Sequence, residues 1–599
     1  MAEYMSMEHL KFLLHEVHNV EEVFAFSRYQ DFDKDSVDIL LDTAKSWADQ
    51  DWFPFIKEMD DKPAYFKDGK VFSHPQLKKI FKDGGENGWI GMYFDHEHGG
   101  MQVPMTVGLA INHILEAANN HLQGYLGLTA GSAHLITSFG SQELIDEFVP
   151  NMLAGQWGGT MCLTEPQAGS SLTDIKTSAS PIEGGSYKIK GQKIFISGGD
   201  HEATDNFVHL VLARIDGAPA GTKGISLFVV PKYRTDGTYN DVITAGDFQK
   251  MGQRGYSTVH LSFGDADGCI GYLVGEANQG LKYMFQMMNG ARLEVGMSAA
   301  STATAAYYAS LQYAKERPQG RRIESGGRKN VDQEPTLIIN HADVRRMLMI
   351  QKAIVEASLS LLIESGIYQD YAHFGPEEAK DANYHLLELF TPLAKTYPSE
   401  RGKQAIDYGL QVLGGYGFCT DFILQQYYRD IRIMSIYEGT TGIQSIDLLG
   451  RKIPMGNGKA LQLLMGKIQE TMGAASNYDE LKPYVKQLSE KLEEVQKSLA
   501  KLMPMALAGE NEKYLSDATT FMDMASNVVI AYQWLKMAVK AKENLVTGNG
   551  QYDQNFYESK IHTMKIYFKY ELPRVTACYQ TLMSDDILTI VNENIEILA

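Results

Sequence analysis

The chain has 599 residues, 44% of them hydrophobic and 22% charged, which is typical of a globular protein that folds into several packed units. Its formal net charge of −19 argues against nucleic acid or an anionic membrane as a partner, because phosphates meet no excess positive field. The four cysteines lie far apart, so we expect reduced thiols. Without a recognisable targeting signal or membrane-spanning run, we expect a soluble, cytoplasmic protein.

The first part of the chain is predicted to be helical. Residues 1–35 form a leader, and residues 36–158 form an N-terminal helical domain. In that domain Val37, Leu41 and Ala44 recur at the spacing of one helix face.

Two clusters of histidines and acids in this part invite interpretation as metal sites. The residues from His15 to His18 read HEVH, one residue short of the zinc-binding HExxH spacing, and those from Asp95 to His98 are neighbours on a loop. Side chains that follow one another on a loop rarely converge on one ion, and short motifs of this kind are often false positives. We therefore predict no metal site.

The apolar pattern changes to alternation between residues 159 and 279. Tyr187 and Ile189, and then Val208 and Leu210, follow the two-residue period of strands that have one buried face. No helical crossover of a dozen residues separates these strands, so the pattern predicts a compact antiparallel β domain.

Helical patterns return for the rest of the chain. Residues 280–452 are predicted to contain a four-helix bundle, with helices at residues 290–316, 343–371, 377–394 and 398–413. A glycine-rich stretch at 455–458 marks the boundary to an additional C-terminal helical domain, residues 453–599. The predicted fold is therefore mainly α with a central β domain.

The segment from Met161 to Ser171, MCLTEPQAGSS, combines a strand end, a turn that contains a proline and a loop of small residues. Glu165 precedes the proline and is biased toward extended geometry, while Gly169 permits close approach of a backbone or a ligand. By itself the segment is an ordinary turn. It could also offer N–H and hydroxyl groups to a flat polar ligand.

Four further motifs have ordinary structural explanations when each is considered alone. The run from Phe195 to Ser197 ends a strand, and Asn289 is a plausible N-cap for the helix that contains Arg292. Arg317 is a cation near a helix C-terminus, where the helix dipole favours it. The glycine pair after Gln411 resembles a helix stop, although a second glycine would let backbone approach a pyrophosphate.

Glu438 stands out among the acidic residues because of its setting. It lies between Tyr437 and a Gly-Thr-Thr-Gly turn, at the start of an apolar helix that includes Ile443. An acid in such a turn can face a cleft while its own backbone N–H stays free.

In this order, over residues 36–452, the motifs resemble those of the acyl-CoA dehydrogenases, which are flavoproteins. The resemblance implies an acyl-CoA dehydrogenase-like fold with FAD as the cofactor. Within the family the chain resembles a long subgroup, that of the 3-methylmercaptopropionyl-CoA dehydrogenases, which has a leader and an extra C-terminal helical domain. The chain departs from the family after Arg317, where Pro318 and a longer loop replace a short Phe-Gly run.

The resemblance also assigns roles to individual residues. The catalytic base is Glu438. FAD contacts are implied at Met161, Leu163, Thr164, Gly169, Ser170, Phe195, Ile196, Ser197, Arg317, Gln411, Gly414, Gly415, Thr440 and Gly442. Substrate contacts are implied at Ser170, Asn289, Arg292 and Gly439.

The implied reaction is the α,β-dehydrogenation of an acyl-CoA thioester to a trans-2-enoyl-CoA, as in fatty acid β-oxidation. Glu438 removes the α proton, its N–H and a flavin hydroxyl stabilise the enolate, and the β hydride passes to flavin N5. The implied partners are an electron-transfer flavoprotein and a second copy of the chain, with a dimer favoured over a tetramer.

Three alternative functions remain open. An acyl-CoA oxidase shares the first half of the reaction and differs in the use of dioxygen. A nitroalkane oxidase or monooxygenase on this fold would lack the base. A non-catalytic assembly protein would not bind FAD.

Overall fold

A computed structural model describes residues 3–323 and 332–590, apart from the side chains of residues 286–289. The chain divides into two compact units, one made of residues 39–291 and the other of residues 1–38 and 292–599. Throughout the described ranges, no helix combines the length and the apolar character that a membrane crossing requires.

Most of the described residues lie in helices, which are numbered in chain order: α1 (Met7–Lys11), α2 (Lys34–Trp47), α3 (Ile56–Asp61), α4 (Gln76–Glu86), α5 (Met105–Ala118), α6 (Gln123–Phe139), α7 (Gln142–Leu153), α8 (Gly280–Glu316), α9 (Ala342–Phe374), α10 (Glu377–Leu413), α11 (Leu424–Asp430), α12 (Thr441–Asp447), α13 (Met455–Ala475), α14 (Lys482–Leu507), α15 (Asn511–Leu515), α16 (Ala518–Thr547), α17 (Gln554–Tyr570) and α18 (Arg574–Leu582). Short 3-10 and π turns join several of them.

The strands belong to the unit of residues 39–291, and they are β1 (Tyr65–Lys67), β2 (Lys70–Phe72), β3 (Trp157–Cys162), β4 (Ser178–Pro181), β5 (Tyr187–Ser197), β6 (Asn206–Ile215), β7 (Ile225–Pro231), β8 (Val242–Asp247), β9 (Thr258–Phe263) and β10 (Ile270–Leu273). Strands β1 and β2 form a hairpin, and the others form an eight-stranded sheet. Inward-facing side chains such as Ile189, Val211, Phe228 and Leu261 build its core.

The sheet is mainly antiparallel, as predicted, but β3 runs parallel to β6, and β4 also pairs with β6 in parallel. The absence of helical crossovers from the sequence did not reveal these pairs. A parallel connection needs a crossover of a dozen or more residues. Between β3 and β6 the β4–β5 hairpin supplies that length instead of a helix, and between β4 and β6 strand β5 with its flanking loops does so. The parallel strand β3 leads directly into the loop that begins at residue 163.

In the other unit, the predicted separation of two helices at residues 394 and 398 is wrong. Helix α10 runs unbroken from Glu377 to Leu413, with Pro392 and Pro398 inside it. A proline inside a helix removes a hydrogen bond and costs about 3 kcal/mol. Nearly every residue from 386 to 402 is buried, so packing on both sides outweighs this cost. Ser399 also donates a hydrogen bond to the Lys395 carbonyl, at 2.9 Å.

The leader packs against the C-terminal helices of its own unit. Phe12 meets Phe556 edge to face, with ring centroids 5.3 Å apart. Tyr557 donates a hydrogen bond to Glu16 at 3.0 Å, and the buried His18 is hydrogen-bonded to Ser360 of α9 at 2.9 Å. The histidine therefore serves a buried polar contact.

Candidate active site

The loop after β3 is held by a buried ion pair. Glu165 lies beside Lys193 of β5 at 2.9 Å, and both side chains are almost inaccessible to solvent. The carboxylate also accepts bonds from the N–H groups of Lys176 (2.6 Å) and Thr177 (3.0 Å). Burial alone would raise the pKa of Glu165, but Lys193 and these donors outweigh it and lower the pKa to about 2. Glu165 is thus fully engaged in shaping the loop.

A β-bulge in strand β5 exposes Phe195. The register against β9 shifts between Lys193 and Ile196, and Phe195 adopts a left-handed φ of 57°. Its ring packs on Phe248, with ring centroids 4.4 Å apart, but Phe195 remains 57% exposed. Bulges of this kind re-aim a side chain. The neighbouring Ile196 points into the core and is 2% exposed, so only its backbone could reach a ligand.

Three hydroxyl groups of this unit are available to a ligand. Thr164 and Ser197 are half-buried, Ser170 is exposed, and none of the three makes a side-chain hydrogen bond to another described residue. The Thr164 carbonyl is occupied, because it accepts from the Ile194 N–H at 2.9 Å. The unit therefore presents an exposed aromatic ring and hydroxyl groups on two segments that hydrogen-bond to each other.

The other unit brings Arg317 and the glycine motif together. The Arg317 guanidinium lies over the ring of Tyr416, 5.7 Å from its centroid. Gly414 ends α10 with φ 60° and ψ −136°, a conformation accessible essentially to glycine alone. No atom would lie within 4 Å of a Cβ at Gly414 or Gly415, so the backbone there is open to close approach. Gln411 is exposed one turn earlier.

Glu438 sits in a strained turn that precedes α12. Its φ is +53°, unusual for a residue other than glycine, and Gly439 follows at +91°. The Gln444 side chain donates to the Glu438 carbonyl at 3.1 Å. Within the described residues the Glu438 N–H makes no hydrogen bond. Thr440 caps α12 by accepting from the Ile443 N–H at 3.3 Å, and Gly442 lies in the first turn of that helix.

Charged groups surround Glu438. Glu438 is half-buried, but the surrounding protein desolvates its carboxyl and raises the pKa, while the charges of Lys395 and Arg292 oppose that rise. Arg292 is itself buried and forms an ion pair with Asp447 at 3.3 Å. A contact between Arg292 and substrate would therefore use the other N–H groups of its guanidinium. Helix α8 begins at Gly280, so the prediction that Asn289 caps the start of this helix is wrong. The side chain of Asn289 lies outside the described part of the structure.

The sequence interpretation missed two residues near Glu438. Glu294 of α8 is accessible to solvent, yet surrounding protein and the charge of Glu438 raise its pKa to about 7. Lys395 is buried in α10 and donates to the carbonyl of Gly439 at 2.6 Å. A lone lysine in the mainly apolar run from Leu386 to Tyr397, where Glu388 is the other charged residue, is a detectable signal in the sequence. Nothing in the sequence around Glu294 distinguishes it from other helix acids.

Comparison with known proteins places these features in a family. Family models match as "Acyl-CoA dehydrogenase, N-terminal domain" at residues 34–156, "middle domain" at 160–266 and "C-terminal domain" at 328–453, and as "Acetyl-CoA dehydrogenase C-terminal like" at 464–590. A 3-methylmercaptopropionyl-CoA dehydrogenase of Ruegeria pomeroyi is 33% identical over 95% of this chain and 96% of its own length. The chain belongs to the acyl-CoA dehydrogenase family.

Other family members agree with this assignment. A butyryl-CoA dehydrogenase of Syntrophomonas wolfei is 33% identical, with 95% of each chain covered. The structure of an acyl-CoA dehydrogenase from Bacillus anthracis, complexed with FAD, superimposes with a TM-score of 0.74 at 21% identity, covering 98% of this chain and 93% of that one. The predicted family, fold and oxidoreductase class are confirmed, and FAD is the expected cofactor.

Proposed function

We propose that this acyl-CoA dehydrogenase oxidises an acyl-CoA thioester to its trans-2-enoyl-CoA, with Glu438 as the base that removes the α proton. The observation that carries the proposal is the setting of Glu438. Glu438 is a left-handed residue in a turn, and burial raises the pKa of its carboxyl. Its backbone N–H makes no hydrogen bond to the described residues. A raised pKa brings a carboxylate closer to the basicity that C–H deprotonation demands.

The same residue supports the second requirement of the reaction. Removal of the α proton places negative charge on the thioester oxygen, and the Glu438 N–H is the donor we propose for that oxygen. FAD, when bound, accepts the β hydride. The contribution of the chain is to hold the thioester, remove the proton and keep it on the Glu438 carboxyl.

The groups available in each unit fit the chemistry of FAD. Phe195 offers an aromatic face, and Thr164 and Ser197 offer hydroxyl groups for a polar ring edge. Arg317 and the open backbone at Gly414 suit a pyrophosphate, since a cation and free backbone approach are what that group requires. The full set of residues that we propose to contact FAD or substrate is Met161, Leu163, Thr164, Gly169, Ser170, Phe195, Ile196, Ser197, Asn289, Arg292, Arg317, Gln411, Gly414, Gly415, Gly439, Thr440 and Gly442.

We further propose a short acyl-CoA as the substrate, since two of the relatives are named for butyryl-CoA and 3-methylmercaptopropionyl-CoA. An electron-transfer flavoprotein is the proposed electron acceptor and a homodimer the proposed assembly. Anaerobic mixing of the FAD-loaded protein with butyryl-, branched and thioether acyl-CoAs should bleach the absorbance of the flavin at about 450 nm. No bleaching by any of these thioesters would reject the proposal.

The oxidase alternative is tested by admitting air to the bleached protein. A dehydrogenase should return slowly to the oxidised spectrum and produce little hydrogen peroxide. Multiple turnovers supported by dioxygen alone would favour the oxidase. Catalytic turnover that needs an added electron-transfer flavoprotein would favour the dehydrogenase.

Replacing Phe195 with Ala should weaken FAD binding and leave the fold stable, because the ring is exposed. The loss of one aromatic contact is worth about 0.5–1.5 kcal/mol, roughly a two- to tenfold rise in the FAD dissociation constant. Fluorescence titration of the apoprotein with FAD measures this constant. The control is Tyr65→Ala, which removes another exposed aromatic stacked on a neighbouring ring, with centroids 5.2 Å apart. Equal FAD affinity of the two variants would contradict a flavin contact at Phe195.

A further inference from the structure

The side chain of Lys395 is buried in the middle of α10, beside the turn that contains Glu438. Only 1% of its surface is exposed. Its ammonium donates hydrogen bonds to the carbonyl oxygens of Gly439, at 2.6 Å, and of Met434, at 3.0 Å. A buried charge needs such partners, because an isolated ammonium in a protein interior is strongly disfavoured.

We infer that Lys395 is a positioning residue for the reaction, which fixes the turn at residues 434–439 and favours the ionised form of Glu438. This inference rests on the proposed role of Glu438 as the base. It adds a residue that touches neither substrate nor cofactor and acts through the base alone.

The first part of the inference follows from backbone strain. A left-handed conformation at a residue other than glycine costs about 1 kcal/mol or more, and it persists only where the surroundings determine it. Lys395 binds the carbonyls on both sides of Glu438, and Gln444 binds the carbonyl of Glu438 itself. Three hydrogen bonds from two buried side chains therefore define the turn. Without the Lys395 ammonium, the carbonyls of Met434 and Gly439 lose this donor.

The second part follows from charge. Burial lowers the pKa of Lys395 to about 8, so the group is still mainly protonated at neutral pH. The charged groups that influence it are Glu438, Arg292 and Glu400, and Glu438 in turn raises the pKa of Glu294 on α8. Among the charges that oppose the raised pKa of Glu438, Lys395 has the larger effect and Arg292 the smaller. The ammonium thus helps the carboxylate to exist beside a buried acyl chain.

The expected effect of Lys395→Met is a shift in pH dependence together with a loss of rate. The apparent pKa of the base should rise by about one unit, since an opposite charge close by typically lowers a carboxyl pKa by one to three units. At pH values below that pKa, a one-unit rise leaves about one tenth of the carboxylate, so the proton-removal rate there should fall by about tenfold or more, since the turn is also less well defined. FAD content and the KM for the thioester should change little.

The experiment isolates proton removal from oxidation. The FAD-loaded protein is incubated in D2O with an acyl-CoA in which sulfur replaces the β carbon. This thioester has an acidic α C–H bond and no β C–H bond to donate a hydride. Glu438 takes the α proton, solvent exchanges it for deuterium, and return to the α carbon adds one mass unit that mass spectrometry detects. The exchange rate is measured across pH for each variant.

Three further variants make the comparison decisive. Glu438→Gln should abolish exchange. Lys395→Gln keeps an uncharged donor, so it should retain the pH shift while recovering part of the rate at high pH. Lys560→Met removes another buried lysine of the same unit, one that pairs with Glu356 at 3.0 Å, and should leave the pH midpoint unchanged.

The outcomes separate the two proposals. If the wild type shows no exchange, or Glu438→Gln exchanges at the wild-type rate, the proposed function fails. If the wild type exchanges through Glu438 but both Lys395 variants keep the wild-type pH midpoint, only the inference about Lys395 is overturned. It is equally overturned if neither Lys395 variant accumulates as folded flavoprotein while Lys560→Met does, because Lys395 is then a structural residue only.

Discussion

Replacing Glu438 with Gln is expected to lower the rate constant of flavin reduction by acyl-CoA by about 10²–10⁴-fold, the usual contribution of a positioned general base. Glutamine keeps the size and the hydrogen-bonding capacity of the side chain but cannot accept the proton that leaves the α carbon. The turn around residue 438 is held through backbone carbonyls, so FAD content should not change. Anaerobic stopped-flow spectroscopy of the flavin absorbance measures the rate constant.

The pH profile of the wild-type enzyme provides a second check. Burial raises the pKa of Glu438 above its ordinary value, so the rate should rise with pH through that raised pKa and then level off.

The control for Glu438→Gln is Glu364→Gln, since Glu364 is a buried carboxylate of the same unit that accepts hydrogen bonds from Tyr368 and Tyr532. This variant should be less stable but should reduce its flavin at a normal rate. Wild-type bleaching by Glu438→Gln would mean that another group is the base.

Replacing Lys193 with Met should destabilise the β domain by about 3–5 kcal/mol at neutral pH, the range for breaking a buried ion pair by removal of one partner. Glu165 would then remain buried without its counter-ion, and the carbonyl of Leu163 would lose its donor at 3.0 Å. Urea unfolding followed by circular dichroism measures the free energy of unfolding. The matched control is Lys190→Met on the same strand, where the pair with Asp267 is exposed and little change is expected.

The penalty of Lys193→Met should shrink as the pH falls. In the wild type the pKa of Glu165 is lowered to about 2, so its contribution to stability is full above the unfolded value of about 4.3 and is lost toward pH 2. In the variant, burial is the largest remaining influence and favours the protonated carboxyl. Acid therefore relieves the unpaired charge in the variant while it weakens the wild type. A difference in unfolding free energy that does not depend on pH would contradict this account.

The sequence was informative where short-range patterns determine the outcome. The alternation at Tyr187 and Ile189 corresponds to strand β5, and the spacing of Val37, Leu41 and Ala44 to helix α2. The glycine pair after Gln411 ends α10, as its residue types indicated. The family and its cofactor followed from the order of the motifs, since each motif alone had an ordinary explanation. The individual contacts to FAD and substrate remain proposals.

Long-range packing decided what these local patterns could not. Pro392 and Pro398 predict a break in α10, but burial along the whole segment keeps the helix continuous. The bulge that exposes Phe195 depends on pairing with β9, a strand more than sixty residues away in the chain.

The electrostatic setting of the proposed base also belongs to tertiary structure. Glu438 is identifiable from its own neighbours in sequence, but Lys395 and Arg292 influence its pKa only because α10 and α8 bring them near the turn. Whether a charge is paired, and how far its pKa moves, depends on burial and on the groups that meet it from other segments. The sequence by itself therefore determined the family and the candidate base. Only the tertiary structure decided which charges control that base, because electrostatic interactions depend on distances in space and not on positions along the chain.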